Sequence, residues 1–390
     1  MNILFLLRLW PVYGGGETVT RVLANEFVKR GHKVSVMFFK RNDVVGLDVH
    51  PSIEEIVIEG TNVGPFDDSS KDAFHVNKCL GNYLKENSCD VIINQWFTAL
   101  FIKNIVQDYH VPILSVFHMN VFMKPYVYGH DFKSIVKRMF YRKYTDSFMR
   151  KRVQAMIPLI NESTKWVFLS ESYIDEFLKY SNGEISTEKL TAIGNPSTFS
   201  GKMDISEYGI KENILLFVGR VHEPHKRMSL IIKSWSLLEK KYPDWKLVFV
   251  GDGPDLTKTK ELVRKLRVLN VEFMGYQSPE SFYKQAKIFV MTSHHEGWSM
   301  TLVEAQKNLV VPVVMDSFSA VHNIITSGEN GIITDNGNVR EYAKTLGSLM
   351  DDKNRLYSMA ILGQKTAERF NVECIADQWE QLFSEVIMNK

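Results

Sequence analysis

Glu296 and Glu304 stand eight positions apart, and the chain between them has the pattern of a loop that runs into a helix. The apolar run 288–291 predicts a buried strand, so Glu296 falls on the loop that follows the carboxyl end of this strand. Glu304 falls between one and two turns into the next helix. Two carboxylates on either side of a helix start could hold the two ends of an elongated ligand that carries hydroxyl groups.

The start of that helix is itself a candidate binding site. We predict it near Trp298 or Ser299, which leaves the backbone N–H groups of Ser299, Met300 and Thr301 facing outward. The first N–H groups of a helix lack intrahelical partners, and the helix dipole favours negative charge beside them. A diphosphate fits this position, with a sugar at the first glutamate and a ribose at the second. On spacing alone, an acid that stabilises the helix dipole and an exposed helical glutamate would explain the same pair.

Two cations follow the first predicted strand of the second half. Gly219 and Arg220 come directly after the apolar run 213–218, and Lys226 follows shortly after them. Cations at the carboxyl end of a strand suit a diphosphate that leaves with growing negative charge. An exposed surface pair is the alternative, which carries more weight for Lys226 than for Arg220.

The elements that must position these residues repeat in both halves of the chain. Buried apolar strands alternate with amphipathic helices, which predicts parallel sheets covered on both faces and hence an α/β protein with two Rossmann-like domains. Ligands in such sheets bind outside the carboxyl ends of the strands. We predict helices at 17–30, 227–241 and 372–390, and strands at 2–9, 33–39, 90–94, 112–117, 166–169, 213–218, 246–250, 271–274, 288–291, 311–314 and 331–333.

The length of 390 residues also favours two domains over one. We place them at 1–198 and 199–371, with a hinge near 196–211 and a cleft between the facing edges. The tail 372–390 has the pattern of a final amphipathic helix. Its packing back on the first domain is a hypothesis that the sequence does not decide.

Composition excludes several classes of protein. Hydrophobic residues make up 45% and charged residues 24% of the chain, with a net charge of +2, so the overall charge gives no argument for nucleic acid. Cys79, Cys89 and Cys374 are too few and too widely spaced for a disulfide framework or a metal site. The apolar start 1–7 lacks the basic region of a signal peptide, and no apolar stretch is long enough to span a bilayer. We therefore expect a cytoplasmic protein.

The segment 296–305 resembles the Glu-x7-Glu signature of the family 4 glycosyltransferases, which have the GT-B fold. The usual form is Glu-Gly-Phe-Gly, an apolar run and Glu-Ala, and this chain has Gly297, Trp298 for Phe and Ser299 for Gly. The resemblance covers the second half almost completely and the first half loosely. It implies retaining transfer from a nucleotide diphosphate-sugar on the second domain to an acceptor on the first, without an essential metal or cofactor.

The same resemblance assigns phosphate-binding roles to the cations. In the family an Arg and a Lys in a Gly-Arg…Lys motif stabilise the leaving diphosphate, which implies this role for Arg220 and Lys226. The spacing is one residue longer here, and Arg227 stands where the family commonly has glycine. The sequence therefore leaves open whether Lys226 or Arg227 is the second anchor.

Counterparts of family residues also occur in the first half. Glycines 14 to 16 resemble a loop that approaches the donor phosphates or the acceptor, so Gly15 and Gly16 are candidate donor-binding residues, although a tight turn explains them equally. The Gly-x-Gly-x-x-Gly pattern of dehydrogenases is absent from the sequence. His118 stands where the family often has a histidine near the hydroxyls of the donor sugar. A structural role is its alternative.

Three further positions are candidates on the same grounds. Tyr276 follows the predicted strand 271–274, where the family binds the base of the nucleotide through the backbone. Asn195 precedes Pro196 in what resembles the asparagine turn of the family hinge, and a plain Asx turn is as good an explanation. Ser319 precedes a helix, where capping alone could explain it.

The stretch 132–152 is strongly basic. It carries eight Lys or Arg residues against the single acid Asp146, interleaved with apolar residues. This pattern predicts one basic amphipathic helix of the type that lies on an anionic membrane surface. A solvated helix face is the alternative, and nucleic acid is a weaker one.

Together with the family resemblance, these features predict transfer of a hexose or N-acetylhexosamine from a nucleotide-sugar to a glycan or polyprenyl-diphosphate-linked acceptor. The donor that we expect is a UDP-sugar. Bacterial capsule, lipopolysaccharide or other surface-glycan assembly is the expected setting, at the inner face of the membrane. Glu296 would orient the sugar. A nucleotide-sugar epimerase, a phosphorylase on the same fold and a non-catalytic partner remain alternatives.

Overall fold

The structure is a computed structural model that describes residues 1–11, 15–41, 48–60, 70–118, 122–123, 125, 132–198 and 201–388. It divides into two compact units. Unit 1 comprises Met1–Pro196 and Val372–Lys390, and unit 2 comprises Ser197–Asn371. The first segment of unit 1 therefore ends at Pro196, and the C-terminal segment Val372–Lys390 belongs to unit 1.

The strands of the described residues are β1 Asn2–Leu6, β2 Leu9–Trp10, β3 Lys33–Phe38, β4 Lys40–Arg41, β5 Glu54–Val57, β6 Val91–Asn94, β7 Ile113–Val116, β8 Lys165–Phe168, β9 Leu190–Ala192, β10 Ile214–Val218, β11 Lys246–Val250, β12 Val271–Phe273, β13 Ile288–Met291, β14 Val311–Met315 and β15 Ile332–Thr334.

The helices of the described residues are α1 Gly15–Lys29, α2 Ser70–Glu86, α3 Ile105–Tyr109, α4 Phe132–Met139, α5 Tyr141–Glu162, α6 Glu171–Ser181, α7 Glu223–Lys226, α8 Met228–Ser236, α9 Leu256–Leu266, α10 Glu280–Gln285, α11 Met300–Lys307, α12 Val321–Ile324, α13 Val339–Asp351, α14 Lys353–Ala367 and α15 Val372–Met388. Short 3-10 turns cover Thr187–Lys189, Ile205–Ile210 and Glu368–Phe370.

Each unit is built on a parallel sheet, as predicted. Within the described residues, unit 1 has seven parallel strands in the order β5-β3-β1-β6-β7-β8-β9, and unit 2 has six in the order β12-β11-β10-β13-β14-β15. The pair β2 and β4 lies apart from the larger sheet of unit 1. Strands such as β13 and β14 are buried along their whole length, because helices that follow parallel strands cover the sheet.

The core of unit 2 shows why the apolar runs become central strands. Leu215, Val290 and Val313 come from adjacent strands and are fully buried together with Trp235 of α8 and Leu346 of α13. Burial of such a side chain contributes about 1.5–3 kcal/mol. The sheet that carries the candidate residues is therefore anchored by its own core.

The C-terminal helix α15 packs on α1. Arg30 donates to Asp377 Oδ1 at 2.6 Å and to Glu380 Oε2 at 2.8 Å, and the rings of Phe27 and Phe383 are 5.5 Å apart. Apolar contact and ion pairs thus hold the last helix on unit 1.

Three sequence-based predictions of local structure differ from the structure in their bounds or continuity. The basic stretch 132–152 is not one helix, because α4 ends at Met139 and α5 begins at Tyr141. The predicted helix 227–241 is shorter, since α8 begins at Met228 as expected but ends at Ser236, and the short α7 that precedes it, with Arg227 in the left-handed conformation between the two helices, was not predicted. The predicted glycine loop is shorter, since Gly15 and Gly16 already lie in the first turn of α1, while Gly14 falls outside the described residues.

Candidate active site

The candidate residues of unit 2 lie at the carboxyl edge of its sheet. Strands β11, β10 and β13 are neighbours in that sheet, so the loops that follow them meet at one edge. Gly251 follows β11, Gly219 follows β10, and the loop from β13 to α11 carries Glu296. Parallel pairing thus brings together segments that are far apart in the sequence.

A buried ion pair lies at the centre of this edge. Lys226 Nζ is 2.6 Å from Glu296 Oε1, and the two side chains are only 13% and 11% exposed. Burial by itself would raise the pKa of Glu296, but the charges of Lys226 and His225 and the hydrogen bond from Lys226 outweigh it and lower the pKa. Glu296 is therefore a carboxylate at neutral pH, fixed in place by a cation.

The loops after β10 and β11 approach each other too closely for side chains. A Cβ on Gly251 would lie 2.0 Å from the carbonyl oxygen of Gly219. Gly219 itself has φ +151°, and a Cβ on Gly219 would lie 3.5 Å from Lys226 Cε. Position 251 requires glycine because a Cβ would collide with the neighbouring backbone, and position 219 favours glycine because of its positive φ.

The geometry separates Lys226 from Arg227, which the sequence could not do. The Arg227 guanidinium donates to the carbonyl oxygens of Thr292 and Ser293 and to Asn336 Oδ1. It thereby fixes the loop after β13 to the start of α8. Lys226, by contrast, points at Glu296, which favours Lys226 as the cation of the site.

The helix start between the two glutamates has an unusual cap. Ser299 occupies the N-cap position of α11, yet its side chain accepts no hydrogen bond from the helix backbone. Its hydroxyl lies instead 3.1 Å from Thr301 Oγ1 and 3.7 Å from Met291 Sδ. Since a serine at this position normally satisfies one of the first N–H groups, the N–H groups of Met300 and Thr301 stay available to an anion.

Glu304 is buried in the helix rather than exposed. Its Oε1 accepts from Thr198 Oγ1 at 3.1 Å, and its Oε2 accepts from the Tyr283 hydroxyl at 3.0 Å. Burial raises the pKa of Glu304, and these two hydrogen bonds lower it in part. The bonds orient the carboxylate and leave each oxygen a second lone pair for a ligand hydroxyl.

Sequence reasoning missed two histidines beside the ion pair. The rings of His225 and His295 stack with centroids 4.2 Å apart, and His225 Nε2 contacts the His295 carbonyl oxygen at 2.9 Å. Burial, followed by the neighbouring charge of His225, lowers the pKa of His295 to about 4. In the sequence, the available signal was the pair His294 and His295, which directly precedes Glu296.

Several buried polar atoms at this edge have no hydrogen-bond partner among the described residues. They are Nε1 of Trp298, Nδ1 of His295, Oγ of Ser293 and Oγ of Ser319. Trp298 is 8% exposed, and its ring packs edge-on against Phe370 with centroids 5.3 Å apart. Unsatisfied buried polar atoms are uncommon in folded proteins, so these four could form hydrogen bonds with a ligand at this edge.

Two candidates of unit 2 are solvent-exposed. Arg220 follows Gly219 and is exposed, and Tyr276 is 79% exposed after β12. The Gly251 N–H donates to the carbonyl oxygen of Gly275, which places the loop before Tyr276 at the same sheet edge. Both positions are accessible to a ligand at this edge, and neither side chain is fixed by the core.

The candidates of unit 1 form a second, separate group. His118 follows β7, and its Nδ1 lies 2.7 Å from Asn195 Oδ1. A Cβ on the buried Gly16 would lie 3.0 Å from His118 Cδ2, so the first turn of α1 packs directly on the ring. Gly15 precedes it and is exposed. Asn195 therefore does more than form a turn.

The described residues contain no group of three or more His, Cys, Asp or Glu side chains arranged to hold a metal ion. None of their helices combines the length and the hydropathy that a membrane span requires.

Both halves of the chain match known families. Residues 13–196 match the family described as Glycosyltransferase Family 4, and residues 203–366 match the family described as Glycosyl transferases group 1. An uncharacterized glycosyltransferase of Haemophilus influenzae is 23% identical over 376 residues, which cover 94% of this chain and 95% of that protein.

A second relative has a defined activity. The GalNAc-alpha-(1->4)-GalNAc-alpha-(1->3)-diNAcBac-PP-undecaprenol alpha-1,4-N-acetyl-D-galactosaminyltransferase of Campylobacter jejuni is 23% identical over 382 residues, which cover 96% of each chain. Among solved structures, Anabaena HepE in complex with UDP superposes with a TM-score of 0.71 at 17% identity, over 99% of this chain and 100% of that one. This likeness shows the GT-B fold. The chain is therefore a GT-B glycosyltransferase, in which a Glycosyltransferase Family 4 segment is followed by a Glycosyl transferases group 1 segment.

Proposed function

We propose that the protein transfers a hexose or N-acetylhexosamine, with retention at the anomeric carbon, from a UDP-sugar to a glycan or polyprenyl-diphosphate-linked acceptor. The start of α11 carries this proposal. There an N-cap serine leaves the helix N–H groups uncapped, beside the buried Lys226–Glu296 pair. An uncapped helix start beside a fixed cation is an arrangement suited to a diphosphate.

The relatives support the choice of donor and acceptor. Anabaena HepE was crystallised with UDP and with UDP-glucose, and the Campylobacter jejuni relative acts on an undecaprenyl-diphosphate-linked glycan. The hydrogen bonds from Tyr283 and Thr198 support a ribose at Glu304. They orient the carboxylate and leave each of its oxygens a lone pair that could accept from one of two adjacent ribose hydroxyls.

The proposed reaction follows from the charges of the site. Cleavage of the bond between the anomeric carbon and the diphosphate builds negative charge on the phosphate and positive charge on the sugar ring. Lys226, Arg220 and the N–H groups of Met300 and Thr301 would stabilise the phosphate. Glu296, held as a carboxylate, would orient the sugar and stabilise its ring charge. The acceptor hydroxyl would attack from the face of the leaving group and pass its proton to a phosphate oxygen, which retains the anomeric configuration.

We further propose that this reaction needs no metal ion. Lys226 and Arg220 would supply the positive charge that a metal otherwise brings to a leaving diphosphate. We expect EDTA to leave turnover unchanged. Loss of turnover in EDTA that is restored by Mg²⁺ or Mn²⁺ would contradict this part of the proposal.

The decisive experiment is a transfer screen. Purified protein is incubated with UDP-glucose, UDP-galactose, UDP-N-acetylglucosamine or UDP-N-acetylgalactosamine and with polyprenyl-diphosphate-linked glycans extracted from bacterial membranes. We expect one donor to give UDP and a product with the anomeric configuration of the donor, measured by NMR. An inverted product rules out the mechanism. Release of an epimerised nucleotide-sugar without acceptor favours the epimerase, and turnover that requires inorganic phosphate favours the phosphorylase.

The exposed part of α4 and the start of α5 support a membrane contact. Ile135, Met139 and Phe140 are 49%, 69% and 50% exposed, and the exposed bases Lys137 and Lys143 lie near them in the chain. Farther along α5, Met149 and Val153 are buried, so the apolar residues there belong to the core. We propose that 135–143, rather than the whole of 132–152, touches an anionic membrane surface at its cytoplasmic face.

Vesicle sedimentation tests this contact. We expect binding to vesicles that contain phosphatidylglycerol, weak binding to pure phosphatidylcholine, and loss of binding in Met139→Ser/Phe140→Ser. A matched control is Leu269→Ser, which changes a 70% exposed apolar residue of unit 2 and should leave binding unchanged. Equal binding of the double variant and the wild type would refute the proposal.

A further inference from the structure

His118 is held between two uncharged residues of unit 1. Its Nδ1 lies 2.7 Å from Asn195 Oδ1, and its ring edge packs against Gly16. The other ring nitrogen, Nε2, is buried and has no hydrogen-bond partner among the described residues. Nδ1 is therefore bound by the protein, whereas Nε2 could form a hydrogen bond with a ligand.

The partner of Nδ1 decides where the proton of the ring lies. The side-chain oxygen of an asparagine can only accept a hydrogen bond, so Nδ1 must donate to it. In a neutral imidazole one nitrogen carries the proton and the other has a lone pair. Burial lowers the pKa of His118 to about 4, against the hydrogen bond with Asn195, which raises it. The ring is therefore neutral at pH 7, and its Nε2 has the lone pair.

The hydrogen bond with Asn195 disfavours the alternative orientation of the ring. A ring flip would turn a carbon towards Asn195 and leave a buried amide oxygen without its donor. An unsatisfied buried group of this kind is costly, so the ring keeps Nδ1 towards Asn195.

We infer that Asn195 is a positioning residue that holds His118 as the Nδ1–H tautomer, so that Nε2 accepts a hydrogen bond from a hydroxyl of the ligand. His118 would then select for a hydroxyl group, and it would not donate a proton to the leaving group. That the hydroxyl belongs to the donor sugar rests on the proposed function. The tautomer itself does not, because it is set by two residues of the free protein.

The test is the ¹⁵N spectrum of the histidine side chains in the intact protein, with His118 assigned from the spectrum of His118→Gln. At pH 7 we expect a protonated Nδ1 and an unprotonated Nε2. Asn195→Asp places a carboxylate opposite Nδ1, and it should raise the pKa of His118 and protonate both nitrogens in mildly acidic buffer. Asn195→Leu removes the acceptor and should allow the Nε2–H tautomer.

Asn182→Asp is the matched control. Asn182 lies in the same unit, and its Oδ1 accepts from Arg150 on the surface, so the substitution adds the same charge away from His118. It should leave the His118 spectrum unchanged. An Nε2–H tautomer in the wild type, or a folded Asn195→Asp protein with the wild-type titration of His118, would overturn the inference.

Two probes then test the hydroxyl. UDP-glucose should shift the Nε2 resonance of His118 in the direction of hydrogen-bond acceptance, whereas UDP should not. If both probes bind and Nε2 does not respond to UDP-glucose, the role in hydroxyl recognition is wrong. If neither probe binds, the proposed donor is wrong, while the spectrum of the free protein still decides whether Asn195 positions His118.

Discussion

Replacement of Lys226 by methionine removes the charged partner of Glu296 and keeps a side chain of similar length. In the wild type the two charges lie 2.6 Å apart, at 13% and 11% exposure. The variant leaves a carboxylate at the sheet edge with water largely excluded and without its cation. We expect this single substitution to destabilise unit 2.

The size of the effect follows from burial. Removal of one partner of a buried ion pair costs about 3–5 kcal/mol, because the remaining charge is left uncompensated. About a tenth of each side chain still reaches solvent, which screens the remaining charge in part. We therefore expect the lower end of that range, about 3 kcal/mol of the free energy of unfolding at pH 7.

The pH dependence has a definite sign. The folded wild type lowers the pKa of Glu296, so the ion pair stabilises it above the ordinary carboxyl pKa and loses this effect as pH falls through the lowered value. Without Lys226, burial should raise the pKa of Glu296. The folded variant then takes up a proton more readily than the unfolded chain, and the deficit in stability shrinks as pH falls from 7 towards 4.5.

Urea denaturation at several pH values, followed by tryptophan fluorescence and circular dichroism, measures the effect. Lys226→Met/Glu296→Gln should recover much of the stability, because no unpaired charge remains. Lys241→Met is the control, since Lys241 and Asp351 form an ion pair of similar length, 2.8 Å, but at 65% and 55% exposure, where solvent screens the charges and little stability is lost with the pair.

Two results would refute this reasoning. One is a loss in Lys226→Met no larger than that in the exposed control. The other is a deficit that stays constant from pH 7 to 4.5, which would show that Glu296 does not titrate differently in the variant.

Three further predictions concern ligand binding, turnover and the C-terminal helix. Tyr283→Phe removes a hydrogen-bond donor to Glu304, and we expect calorimetry to give a Kd for UDP about 2- to 12-fold higher. The equally buried control Tyr342→Phe should leave the Kd unchanged, and an unchanged Kd in both variants contradicts the role assigned to Glu304. Arg220→Ala should lower kcat in the transfer assay about 10- to 100-fold and shift stability by less than about 0.5 kcal/mol because Arg220 is exposed; wild-type kcat excludes a role on the phosphate. Arg30→Met removes the ion pairs that join α1 to α15 and should lower the free energy of unfolding by about 1–2 kcal/mol; an unchanged urea midpoint means that apolar contact alone holds the helix.

Most of the strands were predictable, because their signal is local. The run 247–250 is apolar after Lys246, and the run 288–291 is apolar along its whole length; they form β11 and β13 with the predicted bounds. The prediction missed β5, Glu54–Val57, which is an edge strand with two acids and little burial. A half-exposed edge strand has no continuous apolar run, so only pairing with β3 identifies it.

The break at Phe140 shows a limit of periodicity. The residues 132–152 alternate basic and apolar types throughout, so their pattern fits one long helix. The apolar residues of α5, such as Met149, face the core of unit 1, whereas Met139 and Phe140 face solvent. Which apolar stripe is buried depends on the sheet below it, and the sequence pattern does not contain that information.

By itself the sequence determined that Glu296 and Glu304 flank a helix start, because a strand, a loop and a helix in direct succession are local features of the chain. Only the tertiary structure decided how these carboxylates are held. Lys226 reaches Glu296 across 70 positions and Tyr283 reaches Glu304 across 21, because parallel pairing brings the ends of separate strands to one edge. The burial that raises the pKa of Glu304 and the neighbouring charges that lower the pKa of Glu296 against its burial both arise from this packing.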